Sequence, residues 1–163
     1  MPVKTAFILL MLFILFSCSP DKYLVITSQT SPSEQDIKSK KFIFLSNKHV
    51  KNPERFAYLI NAKKSLEFEK EFEVVKENNT KRLLRSVKNV IDENYSAAYN
   101  ELAKIPKHEF DYEAQILLAD ALHGMHIDTL NYIKVYQRVV DSTRDETIRS
   151  IAIKRHRFLK YEK

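Results

Sequence analysis

Glycine and cysteine are almost missing from this chain of 163 residues, which has one of each and no tryptophan. A single glycine excludes the Gly-rich phosphate loops of nucleotide-binding proteins, because those loops need two or three glycines at fixed spacing. A single cysteine excludes a disulfide scaffold and a Cys-rich zinc module. With 44% hydrophobic and 29% charged residues, the composition is that of a globular protein of one domain.

The N-terminal segment from Met1 to Ser17 has the plan of an export signal. Lys4 precedes an unbroken apolar run from Ala6 to Phe16, and the small residue Ser17 follows this run. The run is too short to span a bilayer, which takes a helix of about 20 residues. We therefore expect residues 1–17 to be a signal peptide that is removed on export.

The only cysteine lies directly after this signal. Leu15-Phe16-Ser17-Cys18 resembles the lipobox of bacterial lipoproteins. The resemblance implies cleavage between Ser17 and Cys18, a diacylglycerol on the Cys18 sulfur, and acylation of the new amino group. Two or three acyl chains hold a protein stably on a membrane. Ser19, where Asp would indicate retention at the inner membrane, favours the outer membrane. The segment Ser19-Pro20-Asp21-Lys22 has one acidic residue instead of the acidic run that marks export to the cell surface, which favours the periplasmic face. An ordinary secretory signal with a chance cysteine is the alternative.

The segment after the cysteine is polar. We predict that residues 18–41 are the lipidated cysteine and a flexible tether, because Thr27 to Gln35 is rich in serine and threonine. Two short segments, Tyr23–Thr27 and Phe42–Leu45, have the composition of strands and could pair as a hairpin-like element. The sequence leaves this pairing open.

Residues 42–163 are predicted to form an all-α domain of short antiparallel helix pairs. From Pro53 onward, apolar residues recur with the 3.6-residue period of helices. Polar residues that commonly start helices precede the successive stripes at Asn52, Asn78, Asp111 and Asp128. Gly124 ends one helix, where a glycine is expected to adopt the left-handed conformation.

The helical region also contains a repeat. Helix starts recur at nearly equal intervals, near Thr80, Asp111 and Arg144, and the stripe from Tyr95 to Leu102 matches a later stripe at a shift of 37. Over residues 80–160 the chain resembles tetratricopeptide-repeat proteins, in which residues 95–102 are similar to a second helix and residues 114–124 to a first helix. The resemblance implies a helical array that binds proteins. A plain bundle of four to six helices is the alternative.

Two groups of residues are candidates for contact with a partner. Four tyrosines could line a concave groove for a peptide, or could be core residues: Tyr95, Tyr99, Tyr132 and Tyr136. The basic C-terminal stretch supplies Arg155 and Arg157, which could hold an acidic partner or phospholipid headgroups. The alternative for these arginines is one solvated face of the last helix.

The sequence shows no pattern typical of an enzyme. Cys18 is expected to be a lipid thioether, and no Gly-x-Ser-x-Gly motif is present. His123 and His126 supply two of the three or four ligands that zinc needs. We therefore expect no catalytic residue, cofactor, metal or small-molecule substrate. Nucleic acid is not expected as a partner of an exported protein.

These patterns together predict a lipoprotein that anchors to the membrane through its N-terminal lipid. Its predicted function is that of a protein-binding scaffold or accessory subunit of a bacterial envelope complex. The alternative is an immunity or inhibitor lipoprotein that neutralises a toxin directed at the envelope, and that binds this one partner very tightly.

Overall fold

The computed structural model describes residues 23–48, 50–127 and 129–161, and this part of the chain is mostly helical. Eight α-helices, two strands and one short 3₁₀-helix (Lys107–Glu109) occur in it. The strands are β1 (Tyr23–Ile26) and β2 (Lys41–Phe44), and the helices are α1 (Glu34–Ser39), α2 (Pro53–Asn61), α3 (Ser65–Glu73), α4 (Asn78–Ile91), α5 (Tyr95–Leu102), α6 (Tyr112–Gly124), α7 (Thr129–Ser142) and α8 (Glu146–Tyr161). The predicted all-α fold class is confirmed.

The predicted helix starts agree with the structure where it describes them. Asn52 precedes Pro53 at the start of α2, and α4 begins at Asn78. The Asp111 carboxylate accepts a hydrogen bond from the backbone N–H of Ala114 at 3.1 Å, which caps α6. The start predicted at Asp128 lies outside the described residues.

Six of the helices form three hairpins that share one turn geometry. Shortly after the ends of α2, α4 and α6, one residue has the left-handed backbone conformation: Lys63, Glu93 and His126, respectively. At each turn this residue donates to the carbonyl three positions back, and the next residue donates to the carbonyl five positions back. This pair of bonds is the Schellman motif, which satisfies carbonyls at the end of a helix. The hairpins α2–α3, α4–α5 and α6–α7 therefore share one turn geometry.

The spacing of these turns differs from the spacing of the predicted repeat, which stays a prediction. The interval from Glu93 to His126 is four residues shorter than the shift of 37 that aligns the Tyr95 stripe with the Tyr132 stripe, and the interval from Lys63 to Glu93 is shorter still. Four residues are about one helical turn. An alignment by the turns and an alignment by the shift of 37 therefore both place apolar residues on the same face of the helix. The α2–α3 hairpin begins at Pro53 and precedes the range of the predicted repeat.

Gly124 does not have the predicted left-handed conformation, because no described glycine has a positive φ. It is the last residue of α6, and a Cβ at this position would overlap the ring of Tyr95 on α5. The glycine is therefore needed for the close contact between two hairpins, and His126 makes the turn instead.

The two strands pair in parallel, not as a hairpin. Tyr23 is opposite Lys41 and Ile26 is opposite Phe44, with α1 in the connection between the strands. A parallel sheet is stable when both of its faces are buried. Both strands read as nearly continuous apolar runs, YLVI and KFIF, as this arrangement requires.

The sheet lies between two hydrophobic clusters. Residues with odd numbers, such as Val25 and Ile43, pack with α2, α4 and the α5–α6 region. Residues with even numbers, such as Ile26 and Phe42, pack with α6, α7 and α8. Because side chains alternate along a strand, one strand pair fills the space between the two clusters.

Residues 23–41 therefore differ from the predicted flexible tether. Tyr23 and Val25 are core residues, and the side-chain amide of Asn61 on α2 binds the backbone of β1 twice. It accepts from the N–H of Val25 at 2.9 Å and donates to the Val25 carbonyl at 2.8 Å. The predicted tether differs from the structure here because the polar character of the connection does not extend to the two strand-like segments that flank it, although the sequence indicates both segments.

The helical array has two distinct ends. We call the end with the three Schellman turns the turn end; Lys63 and Asp92, from two of these turns, line one cavity there. The opposite end, the loop end, contains the connections α3–α4 and α5–α6. There Arg82, near the start of α4, donates to the carbonyl of Lys104 in the α5–α6 connection at 2.9 Å. Both strands run from the turn end to the loop end, since β1 begins beside Tyr95. Among the described helices, none is long and apolar enough to cross a bilayer.

Candidate functional site

A groove lies at the loop end of the array. Two adjoining cavities of about 770 Å³ and 330 Å³ share the lining residues Lys48, Glu77 and Thr80. The connection from β2 to α2 forms one wall, and the first turns of α4 and α6 form the other. We call this surface the loop groove.

The lining of the loop groove combines apolar and charged side chains. Val74 is 72% exposed at the end of α3, with Phe56 and Val75 beside it. Charges of both signs surround this apolar floor at Lys48, Lys51, Lys76, Glu71 and Glu77. A concave apolar surface with a few polar groups at its edge is the usual chemistry of a binding site.

The walls of the groove are held by specific contacts. Buried Val50 fixes the β2–α2 connection to the core. Lys48 on this connection lies 3.6 Å from the carboxylate of Asp111, which also caps α6. On the other wall, Arg82 binds both Asn79 and the Lys104 carbonyl. These contacts keep the groove open without a ligand.

A buried charged cluster lies in the core, away from the groove. The guanidinium of Arg155 donates two hydrogen bonds to Asp120, at 2.8 Å and 3.0 Å, and a third to the Phe42 carbonyl at 3.0 Å. The hydroxyl of Tyr136 donates to the same carboxylate at 2.6 Å, and the ring of Tyr23 stacks on the guanidinium. The cluster joins β2, α6, α7 and α8 at one point.

The cluster keeps its charges in spite of burial. Burial disfavours the charge of Arg155, but the Asp120 carboxylate outweighs it and raises the pKa of the guanidinium. Burial, together with the same carboxylate, raises the pKa of Tyr136 and of Tyr23 well above the ordinary value for tyrosine. Arg155 and Asp120 are therefore an ion pair, and both tyrosines are neutral hydrogen-bonding groups.

Three of the residues predicted to contact a partner are core residues instead. Arg155 is 3% exposed, and Tyr132 and Tyr136 are also buried. The cavity beside Asp120 has a volume of about 10 Å³, which is at the lower limit for one water molecule. No partner or substrate can reach these side chains in the folded protein, so they are wrong as candidate binding residues. Their role is structural.

The other predicted residues lie in different places. Tyr95 is half-buried, and its hydroxyl is hydrogen-bonded to that of Tyr23. Tyr99 is 38% exposed on α5, and Arg157 is exposed on α8. Tyr99 and Arg157 stay predictions as contact residues. The lipidation and cleavage residues, Cys18 and Ser17, lie outside the described residues.

The two histidines have contacts that belong to the fold. The ring of His123 packs edge-on against Tyr132 at 5.0 Å, and His126 occupies the left-handed position of the third turn. Within the described ranges, no group of three or more His, Cys, Asp or Glu side chains is placed to hold a metal ion.

Sequence reasoning missed the loop groove, because its residues come from segments that are far apart in the chain. Leu66, Phe68, Phe72 and Val74 share one short apolar stretch, and its spacing does not tell an exposed member from a buried one. The structure buries Phe68 and Phe72 and leaves Val74 and Leu66 exposed.

The comparisons with known proteins add no relative to this description. No protein-family model, no curated protein and no solved structure matches this chain. The resemblances to bacterial lipoproteins and to tetratricopeptide-repeat proteins stay predictions, which depend on the residues quoted for them.

Proposed function

We propose that this chain is an exported, lipid-anchored protein that holds a protein partner at the bacterial cell envelope, and that the loop groove is the surface that binds this partner. The observation that carries the proposal is the groove itself, with Val74 exposed on its floor and charges of both signs at its rim. An extended peptide with alternating apolar and charged residues fits such a surface.

The inner side of the helical array supports this choice of surface. In an array of helical hairpins, the inner face is the usual place for a peptide. Here β1 and β2 fill the space between the hydrophobic clusters, and Asn61 and Arg155 bind their backbones. The chain thus occupies its own inner face, and the loop groove is a concave surface that stays open in the described part of the chain.

Binding, not catalysis, is the proposed mechanism. The one buried charged cluster among the described residues is closed on all sides and borders a cavity too small for a substrate. The lipid on Cys18 would fix the location of the protein, and the loop groove would supply the complementary surface. We propose no catalytic residue, cofactor or metal, and the periplasmic face of the outer membrane is the proposed location.

The test compares four forms of the full chain in native membranes after crosslinking: wild type, Val74→Asp, Leu66→Asp and Cys18→Ala. Leu66 is the matched control, because it is an exposed apolar residue of the same helical segment but lies outside the groove. We expect Val74→Asp to lose the crosslinked partner and Leu66→Asp to keep it. Cys18→Ala should lose the mass of the lipid, and a salt wash should release it from the membrane while the wild type stays bound.

The outcomes separate the candidates. Several envelope subunits captured by the wild type support the scaffold, whereas a single exported toxin would favour the immunity protein. Equal capture by Val74→Asp and the wild type would exclude the loop groove as the binding surface. A Cys18→Ala form that stays in the membrane with the wild-type mass would refute lipidation.

A further inference from the structure

We propose that the turn end of the array is a membrane-docking surface, which rests on anionic phospholipid headgroups and inserts Leu66 and Ile127 between them. This inference rests on the proposed function, because the lipid on Cys18 is what would bring the turn end to the membrane. It adds an orientation, in which the loop groove faces away from the bilayer.

The position of Tyr23 determines which end lies near the anchor. Tyr23 is the first residue of β1 and is hydrogen-bonded to Tyr95, the second residue after the Glu93 turn. Consecutive Cα atoms are about 3.8 Å apart, so the five steps from Cys18 to Tyr23 span at most about 19 Å. An acylated Cys18 would therefore keep the turn end close to the bilayer surface.

The turn end exposes large apolar side chains at the places that would meet a membrane first. Leu66 is 82% exposed, three residues after the Lys63 turn, and Ile127 is 52% exposed, directly after the His126 turn. Tyr58 is half-exposed beside them, with the Lys64 ammonium over its ring at 5.2 Å. Three of the six large apolar side chains that the described residues leave exposed thus lie at this end. Surfaces that enter the headgroup region have this chemistry.

Helix α8 brings further positive charge to the same end. It runs antiparallel to β2, since Ile148 and Ile151 border Ile43 and Phe44, whereas Lys154 lies over the ring of Phe42 at 5.0 Å. Arg157, which is exposed and follows Lys154 by three residues, therefore lies beyond the start of β2.

Among the residues that the structure describes, cations exceed acids at the turn end. Lys41 begins β2 opposite Tyr23, and Lys63 lies in the first turn. Of the described acids in the turns and beside them, Glu67 lies 3.3 Å from Lys64, Asp92 lies 2.7 Å from Lys88, and Glu93 lies in the second turn. A surface with excess lysine and arginine is attracted to anionic lipid.

Binding to vesicles tests the inference without the lipid anchor. The mature chain, residues 18–163 with Cys18→Ser, is sedimented with phosphatidylcholine vesicles that contain about one third phosphatidylglycerol, and with vesicles of phosphatidylcholine alone. Leu66→Asp and Ile127→Asp place a negative charge at the turn end, and Val74→Asp places the same charge at the loop end as the matched control.

We expect the parent chain to bind the anionic vesicles, to bind pure phosphatidylcholine at least about tenfold less, and to be released by salt. Leu66→Asp and Ile127→Asp should each weaken binding by about tenfold, while Val74→Asp should not. No binding to anionic vesicles, or equal binding by all three variants, would overturn the inference. Because this assay uses neither the lipid nor the partner, its failure would leave the capture experiment at Val74 as a separate test of the proposed function.

Discussion

The buried ion pair gives the strongest prediction for stability. Arg155→Met removes three hydrogen bonds, two to Asp120 and one to the Phe42 carbonyl, and leaves Asp120 with only the Tyr136 hydroxyl among the partners in this cluster. Removing one partner of a buried pair costs about 3–5 kcal/mol, because the other charge stays buried without compensation. A domain of this size has a free energy of unfolding of about 5–15 kcal/mol, so this substitution would remove a large part of it.

Urea denaturation followed by circular dichroism measures this loss. Arg157→Met is the control, since Arg157 is an exposed residue on the same helix, and it should change the free energy of unfolding by less than about 0.5 kcal/mol. The double variant Asp120→Leu, Arg155→Met should be more stable than Arg155→Met alone, because it removes the isolated charge as well as its partner. If Arg155→Met lies within about 1 kcal/mol of the wild type, or if the two changes are additive, the buried pair is not the structural link described here.

Three further predictions concern the packing and the turns. Gly124→Ala should lower the free energy of unfolding by about 1–3 kcal/mol because the new Cβ overlaps the Tyr95 ring; a gain, as expected from helix propensity alone, would contradict this contact. His126→Gly should raise stability by about 0.5–1 kcal/mol, since His126 has a φ of 55°, whereas the control Met125→Gly, in right-handed helical geometry, should lower it; thermal denaturation compares the two. Asn61→Leu should cost about 1–3 kcal/mol through its two lost bonds to the β1 backbone, and urea midpoints unchanged from the wild type would refute this role.

The helices could be predicted from the sequence because their signals are local. Apolar periodicity and capping residues identified α2 and α4–α6, and Asp111 binds the N–H that a helix cap should bind. The turns could not be predicted, since glycine is the usual residue in the left-handed position and this chain uses Lys63, Glu93 and His126 there. The single glycine, Gly124, misleadingly indicated a left-handed residue. The structure needs a glycine there for the close contact with Tyr95 of another hairpin.

The binding residues were hard to predict for a related reason. A stripe of tyrosines at helical spacing is the same in sequence whether it faces a groove or the core, and Tyr132 and Tyr136 face the core. The basic C-terminal helix likewise gives no sign that Arg155 faces Asp120, which lies 35 residues earlier. The loop groove depends on segments brought together only by folding, so local patterns give no indication of it.

The parallel strands link these observations to function. If residues 23–41 were a tether, the inner face of the array would be open, and its tyrosines would be available to a partner. Because β1 and β2 are buried between the two hydrophobic clusters, the proposed partner surface is the loop groove, and a lipid on Cys18 would lie within about 19 Å of Tyr23. The role of the strand pair therefore decides the proposed orientation.

Hydrogen exchange of the Val25 amide, measured by NMR on the mature chain, tests the role of the strand pair most directly. This N–H belongs to the buried residue Val25 and donates to the side chain of Asn61, so we expect it to exchange as slowly as the amides of Leu84 and Val87 in α4. The Leu45 amide, which donates to the Ile26 carbonyl at 2.9 Å, should be similarly protected. Exchange of Val25 at the rate of an unstructured peptide, while α4 stays protected, would contradict the buried strand pair and support the predicted tether.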